Sequence, residues 1–129
     1  MNFLLTGRRL AQLSVMACAT AYGQERPGAE IYQGVCIICH GMGKHDAPQF
    51  GNAVHWQARA ARGLDDLVPA AMNGTGRMPR MGANPALSDL ELARAVIYML
   101  NEAGGRFGEP TLADLKKWRE TAEDRRKRR

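Results

Sequence analysis

Apolar side chains recur with helical spacing along most of this chain, and no stretch of useful length alternates as a strand would. Over residues 29–40, Ile31, Val35 and Ile38 fall on one face, flanked by Tyr32 and Cys39, and Gly41 and Gly43 close the element. Residues 56–61 and 64–72 read as two shorter helices, the first closed by Gly63 and the second by Asn73-Gly74. The clearest helix follows Ser88, an N-cap that forms a capping box with Glu91. Its stripe is Leu90, Ala93, Ile97 and Leu100, widened by Leu92, Val96 and Met99, and Gly104-Gly105 stops it. Further on, Thr111 and Asp114 make a second capping box, with Leu112, Leu115, Trp118 and Ala122 on one face. The intervening stretches, 44–52 with Pro48 and 74–87 rich in Gly and Pro, read as irregular. The predicted fold class is all-α, with about four to five short helices and no internal repeat.

Charge refines this picture. The net charge is +5, but residues 30–106 hold seven acidic and seven basic side chains, so the excess sits at the ends. A neutral body argues against a nucleic-acid-binding module. Residues 1–9 carry Arg8 and Arg9, residues 10–21 are mostly apolar and small, and Ala19-Thr20-Ala21 is an A-x-A-like cleavage site. That layout predicts a secretory signal peptide over residues 1–21 and a periplasmic mature chain. The apolar run is too short for a membrane span, which needs about 20 residues. Cys18, within Val15-Met16-Ala17-Cys18, leaves a lipoprotein anchor as an alternative, and Arg8-Arg9 a twin-arginine signal. Residues 22–28 form a polar lead-in.

The chemistry concentrates in Cys36-Ile37-Ile38-Cys39-His40. Two thiols at i and i+3 share a helical face, and an imidazole follows at once. This is the attachment pattern of a c-type haem: both sulfurs bond one porphyrin edge, and His40 turns under the ring to ligate iron. A zinc site would need a second ligand pair, which only His45 and His55 are left to supply. A thioredoxin-like dithiol would need a strand–helix–strand setting that is missing here. The chain has three cysteines; with Cys18 in the leader and two in the motif, none remains for a disulfide in the mature monomer. On the opposite side of the iron, Met78 is the first candidate. Pro79 biases it to extended backbone, and Gly74-Thr75-Gly76 lets the chain run close to a ring. Met81 is a second candidate, and His45 and His55 would give bis-His ligation. Met72 and Met99 sit in helical patterns as core filler.

Together these residues resemble the class I cytochromes c, in particular the small bacterial cytochrome c5-like, mono-haem group. The resemblance rests on Ile31-Tyr32 before the haem motif, then Pro48, Trp56, Arg59 and Asn73-Gly74. It continues through Met78-Pro79-Arg80-Met81-Gly82 and the helix opened by Leu87-Ser88-Asp89, and covers about residues 28–106. It implies an all-helical fold whose first and last helices cross, with one haem held between them and the Met loop. It further implies thioethers at Cys36 and Cys39, axial ligands His40 and Met78, and a Pro48 carbonyl that accepts the His40 Nδ1 proton. Trp56 and Arg59 are implied near the haem propionates, and Tyr32 and Tyr98 where the helices meet. Arg80 departs from the second Pro of many relatives, and the disulfide that some carry after the Met loop is absent.

The domain plan is then a leader (1–21), a mono-haem cytochrome domain (22–106) and a basic C-terminal extension (107–129), helical with a frayed end. The function implied is one-electron transfer by a non-enzymatic carrier, monomeric, meeting redox partners through small transient contacts. Two alternatives stand beside it: a haem sensor or small peroxidase with an open or displaceable sixth site, and a dedicated cytochrome subunit of a periplasmic dehydrogenase. Arg125-Arg126-Lys127-Arg128-Arg129 offers docking to an acidic partner or to an anionic membrane surface.

Overall fold

The structure is a computed structural model that describes residues 25–129; the predicted leader with Cys18 and the start of the lead-in fall outside the described residues. Five helices form the described chain, with two 3₁₀ turns, at Lys44–Asp46 and Arg80–Ala83, and an isolated antiparallel bridge between Thr75 and Met78. Helix α1 spans residues 28–40. It starts as regular helix over Gly28–Ile31, widens through a π turn over Tyr32–Cys36, and resumes over Ile37–His40. In the widened turn the Ile37 N–H reaches the Tyr32 carbonyl, five residues back. That extra residue rotates the apolar face. Ile31 and Tyr32 are buried as their spacing predicts, whereas Ile38, placed on the same face by a regular period, is 65% exposed.

Helix α1 packs against α4 (Asp89–Glu102), the element whose stripe was the clearest in the sequence. Leu92, Val96, Met99 and Leu100 are buried with Ile31 and Tyr32 in one core, and Tyr32 and Tyr98 meet at ring centroids 5.7 Å apart. The two helices approach closely at Gly28, where a Cβ would lie 2.2 Å from the Arg94 carbonyl oxygen. Helix α2 (Ala53–Ala60) begins three residues before Trp56, because the Asn52 side chain accepts from the His55 N–H at 3.1 Å and caps it there. Helix α3 (Leu64–Asn73) contributes Val68, Ala71 and Met72 to the same core.

Helix α5 (Leu112–Lys127) folds back on α3 and α4. Trp118 and Ala122 are buried, and Leu115 is half-buried against the core. Leu112 is 85% exposed despite its spacing; the Thr111–Asp114 capping box, rather than packing, holds that first turn. Ion pairs lace α5 to the body: Lys117 with Asp65, Arg119 with Asp89, and Arg125 with Asp66.

One ionic contact ties the chain ahead of α1 to α4. The Arg26 Nε donates to Glu91 at 2.7 Å and its Nη2 at 3.2 Å, while the Arg26 and Ser88 N–H groups both approach that carboxylate at 3.3 Å. Glu91 is buried, and the hydrogen bonds from Arg26 hold its pKa at about 2, against an ordinary 4.5. A depressed pKa stabilises the fold above 4.5 and ceases to do so as pH falls towards 2. Urea unfolding is therefore expected to show stability declining across that window. The Glu91→Gln variant should flatten the decline and cost about 1–2 kcal/mol at neutral pH. A decline of unchanged size in the variant would contradict this role.

Candidate functional site

The end of α1 presents the motif. Cys36 and Cys39 are half-buried, with thiols not bridged to each other, and His40 is buried beside them. The His40 ring is fixed by the loop after α1. Its Nδ1 lies 2.8 Å from the Pro48 carbonyl oxygen. A carbonyl only accepts, so Nδ1 carries the proton and Nε2 keeps its lone pair. Hydrogen bonds from three directions hold this loop. The Phe50 N–H donates to the His40 carbonyl at 2.7 Å, the Gln49 carbonyl accepts from the Trp56 Nε1 at 2.9 Å, and the Gln49 N–H donates to the His55 Nδ1 at 3.2 Å. Helix α2 thus grips Gln49, and the grip positions the Pro48 carbonyl against His40.

Trp56 is buried, its ring 5.6 Å from the imidazole and inclined by 26°. Arg59 donates to the His55 carbonyl at 2.8 Å within its own helix. Burial lowers the His40 pKa, the Pro48 bond opposes that, and the positive charge of Arg59 adds to the lowering. Burial pushes the Cys36 thiol up to about 11. A reactive dithiol needs the opposite shift. Among the described residues no group of three or more His, Cys, Asp or Glu side chains converges to hold a bare metal ion, and His45 and His55 are both exposed. The zinc and dithiol alternatives therefore find no support.

The second candidate ligand lies beyond α3. Gly74 has φ +80, and a Cβ there would meet the Met78 carbonyl oxygen at 2.7 Å, so only glycine lets the loop close on itself. Thr75 and Met78 then exchange both backbone hydrogen bonds, at 3.0 and 2.9 Å. Met78 is half-buried against the core. Met81 is more deeply buried, in a left-handed run with Gly82 and Ala83 at φ 53, 62 and 65. Met72 and Met99 are core residues, as their helical spacing predicts.

Two contributors lie outside the motif. Phe50 stacks on Tyr32 at 4.2 Å and reaches Tyr98 at 5.5 Å, joining the loop to both crossing helices. Its signal in the sequence is a lone aromatic in a polar, Gly-flanked loop. Asn73 is buried, and its Nδ2 donates to the Ala122 carbonyl at 2.7 Å. A pairing 49 positions apart leaves no local trace.

This donor set fits a covalently attached porphyrin. Two half-buried thiols and an imidazole with a free Nε2 lie within one turn and a half of helix. Comparison with known proteins agrees. Residues 23–99 match the family described as "Cytochrome C oxidase, cbb3-type, subunit III". The chain is 34% identical over 97 residues to cytochrome c-555 of Chlorobaculum tepidum, covering 72% of this chain and 89% of that protein. It is 36% identical over 76 residues to cytochrome c5 of Azotobacter vinelandii, covering 57% of this chain and 92% of that one. A solved cytochrome c in an electron transfer complex with nitrite reductase superposes with a TM-score of 0.57 at 34% identity, covering 59% of this chain and 93% of that one. The chain belongs to the small class I cytochromes c: an electron carrier rather than an enzyme, with one covalently bound c-type haem and redox proteins as its partners.

Proposed function

We propose that this cytochrome is an exported monomer that shuttles single electrons through a haem bonded at Cys36 and Cys39 and ligated by His40 and Met78. The bound haem supplies an iron that gains and loses one electron. The residues of the chain do the rest. Cys36 and Cys39 fix the ring to α1, and His40 offers Nε2 while the Pro48 carbonyl holds its Nδ1 proton, which keeps the ring orientation and makes the imidazole a better donor. Trp56 and the charge of Arg59 border that imidazole. Met78 would supply the second protein ligand to the iron, which would exclude a substrate and favour the reduced state. The observation that carries this reading is the 2.8 Å Nδ1 contact of His40 to Pro48, one residue beyond the second thiol.

Export rests on the leader, residues 1–21, with cleavage after Ala21; among the described residues no helix is long and apolar enough to cross a membrane. The mature chain would comprise the haem domain, 22–106, and the extension, 107–129.

Carbon monoxide separates this carrier from a sensor or peroxidase. The reduced protein should leave its spectrum unchanged under carbon monoxide at neutral pH, and still pass one electron to ferricyanide. A carbon monoxide complex would overturn the closed sixth site.

The basic end is proposed to dock an acidic redox partner. Arg125 is paired with Asp66 and Lys127 with Asp124 at 3.6 Å, and Arg126, Lys127, Arg128 and Arg129 are the exposed charges at the end of α5. Changing these four to Gln should flatten the dependence of the electron-transfer rate on ionic strength, since exposed charges are screened over about 8–10 Å. An unchanged salt slope would count against docking.

A further inference from the structure

We propose that α5 braces the loop that carries Met78 and that Asn73 is the positioning residue through which it acts. This rests on the ligand assignment above. Helix α5 lies beyond the family match, which ends at residue 99. It grips α3 at both ends. At the first turn of α3, Asp65 accepts from the Trp118 Nε1 at 2.8 Å and pairs with Lys117, and Asp66 accepts from Arg125 at 2.9 Å. At the last residue of α3, Asn73 donates to the Ala122 carbonyl at 2.7 Å. Both residues of that contact are buried, Asn73 at 7% exposure and Ala122 at 0%.

The chain just beyond Asn73 has little freedom. Gly74 runs 2.7 Å from the Met78 carbonyl oxygen, measured from where its Cβ would stand, and 2.9 Å from the Arg80 nitrogen. Thr75 is locked to Met78 by two backbone hydrogen bonds. A shift of Asn73 is thus carried across two peptide units to the start of the pinned turn and on to Met78. Such a shift is what the Ala122 bond opposes. The contact to α5 is the one hydrogen bond the Asn73 side chain makes among the described residues.

The test is an imidazole titration of the oxidised holoprotein, followed at the red absorption band given by sulfur-to-iron ligation. It compares wild type with Asn73→Leu and Arg119→Gln. The Arg119→Gln change removes a tie from α5 to the first turn of α4 and so controls for general loosening of the extension. In Asn73→Leu, imidazole should displace the band at about tenfold lower concentration, the worth of one hydrogen bond. Arg119→Gln should titrate as wild type. Amide hydrogen exchange over residues 74–82 should quicken in the leucine variant alone. Should the leucine variant not fold, Asn73→Ser removes the same donor. Equal titration in wild type and the Asn73 variant overturns the brace, and so does a shift of the same size in Arg119→Gln. A wild type that lacks the band overturns the Met78 ligation itself, and the brace with it.

Discussion

Replacing Met78 with Leu is expected to abolish the red absorption band of the oxidised protein, open the iron to carbon monoxide, and lower the midpoint potential by on the order of 0.1 V. Axial ligands set haem potentials across roughly 0.8 V, and a thioether favours the reduced state. Leucine keeps the volume of the side chain and removes only the sulfur, so the loop should stay folded. Met81→Leu is the matched control. Met81 is buried in the core, and a volume-conserving swap there should cost less than about 1.5 kcal/mol and leave both band and potential intact. The outcome that exchanges the two roles is specific: loss of the band in Met81→Leu with its retention in Met78→Leu. Redox titration of the three proteins decides between them.

The second large effect is on stability. Gly28→Ala should destabilise the protein by about 3 kcal/mol, a fall in melting temperature of roughly 10–20 °C for a domain of this size. The added Cβ would sit 2.2 Å from the Arg94 carbonyl oxygen, 2.6 Å from its carbon and 3.0 Å from the Tyr98 Cβ. The carbonyl is backbone within α4, so relief requires the helices to separate. Separation loosens the core that Ile31 and Tyr32 share with Leu92 and Val96. Alanine's better helix propensity returns at most about 1 kcal/mol. Thermal unfolding of the variant measures the balance, and an unchanged melting temperature would mean that the crossing yields easily.

Whether an interaction was legible in the sequence depended on the chain distance it spans. Interactions closed within three or four residues were legible. The Ser88–Glu91 and Thr111–Asp114 capping boxes form as their spacing predicts, and the stripe of α4 is buried along most of its length. The Cys36–Cys39–His40 triplet is of the same kind, a local pattern read directly. Pairings across the chain were not legible. The Arg26–Glu91 contact spans 65 positions and the Trp118–Asp65 contact 53, so neither the lead-in nor α5 betrays its partner.

A second kind of loss is a slip in period. The π turn over Tyr32–Cys36 adds one residue to a turn, which no count of apolar spacing registers, and it carries Ile38 out to solvent. The same holds for α2, whose true start at Ala53 is set by a single Asn52 cap rather than by apolar rhythm. Around the site, Pro48 was anticipated only through resemblance to a family, because a carbonyl eight residues from His40 has no sequence signature of its own. The Trp56–Gln49 bond, which holds that carbonyl in place, becomes visible only once the loop is folded.

The proposed carrier depends on one haem bonded through both thiols of α1. Intact-mass measurement of the mature protein, with alkylation of free thiols, tests it most directly. A mass exceeding the polypeptide by one haem, with Cys36 and Cys39 inert to the alkylating reagent, is the predicted result. A mass equal to the polypeptide alone, with both thiols modified, would contradict it.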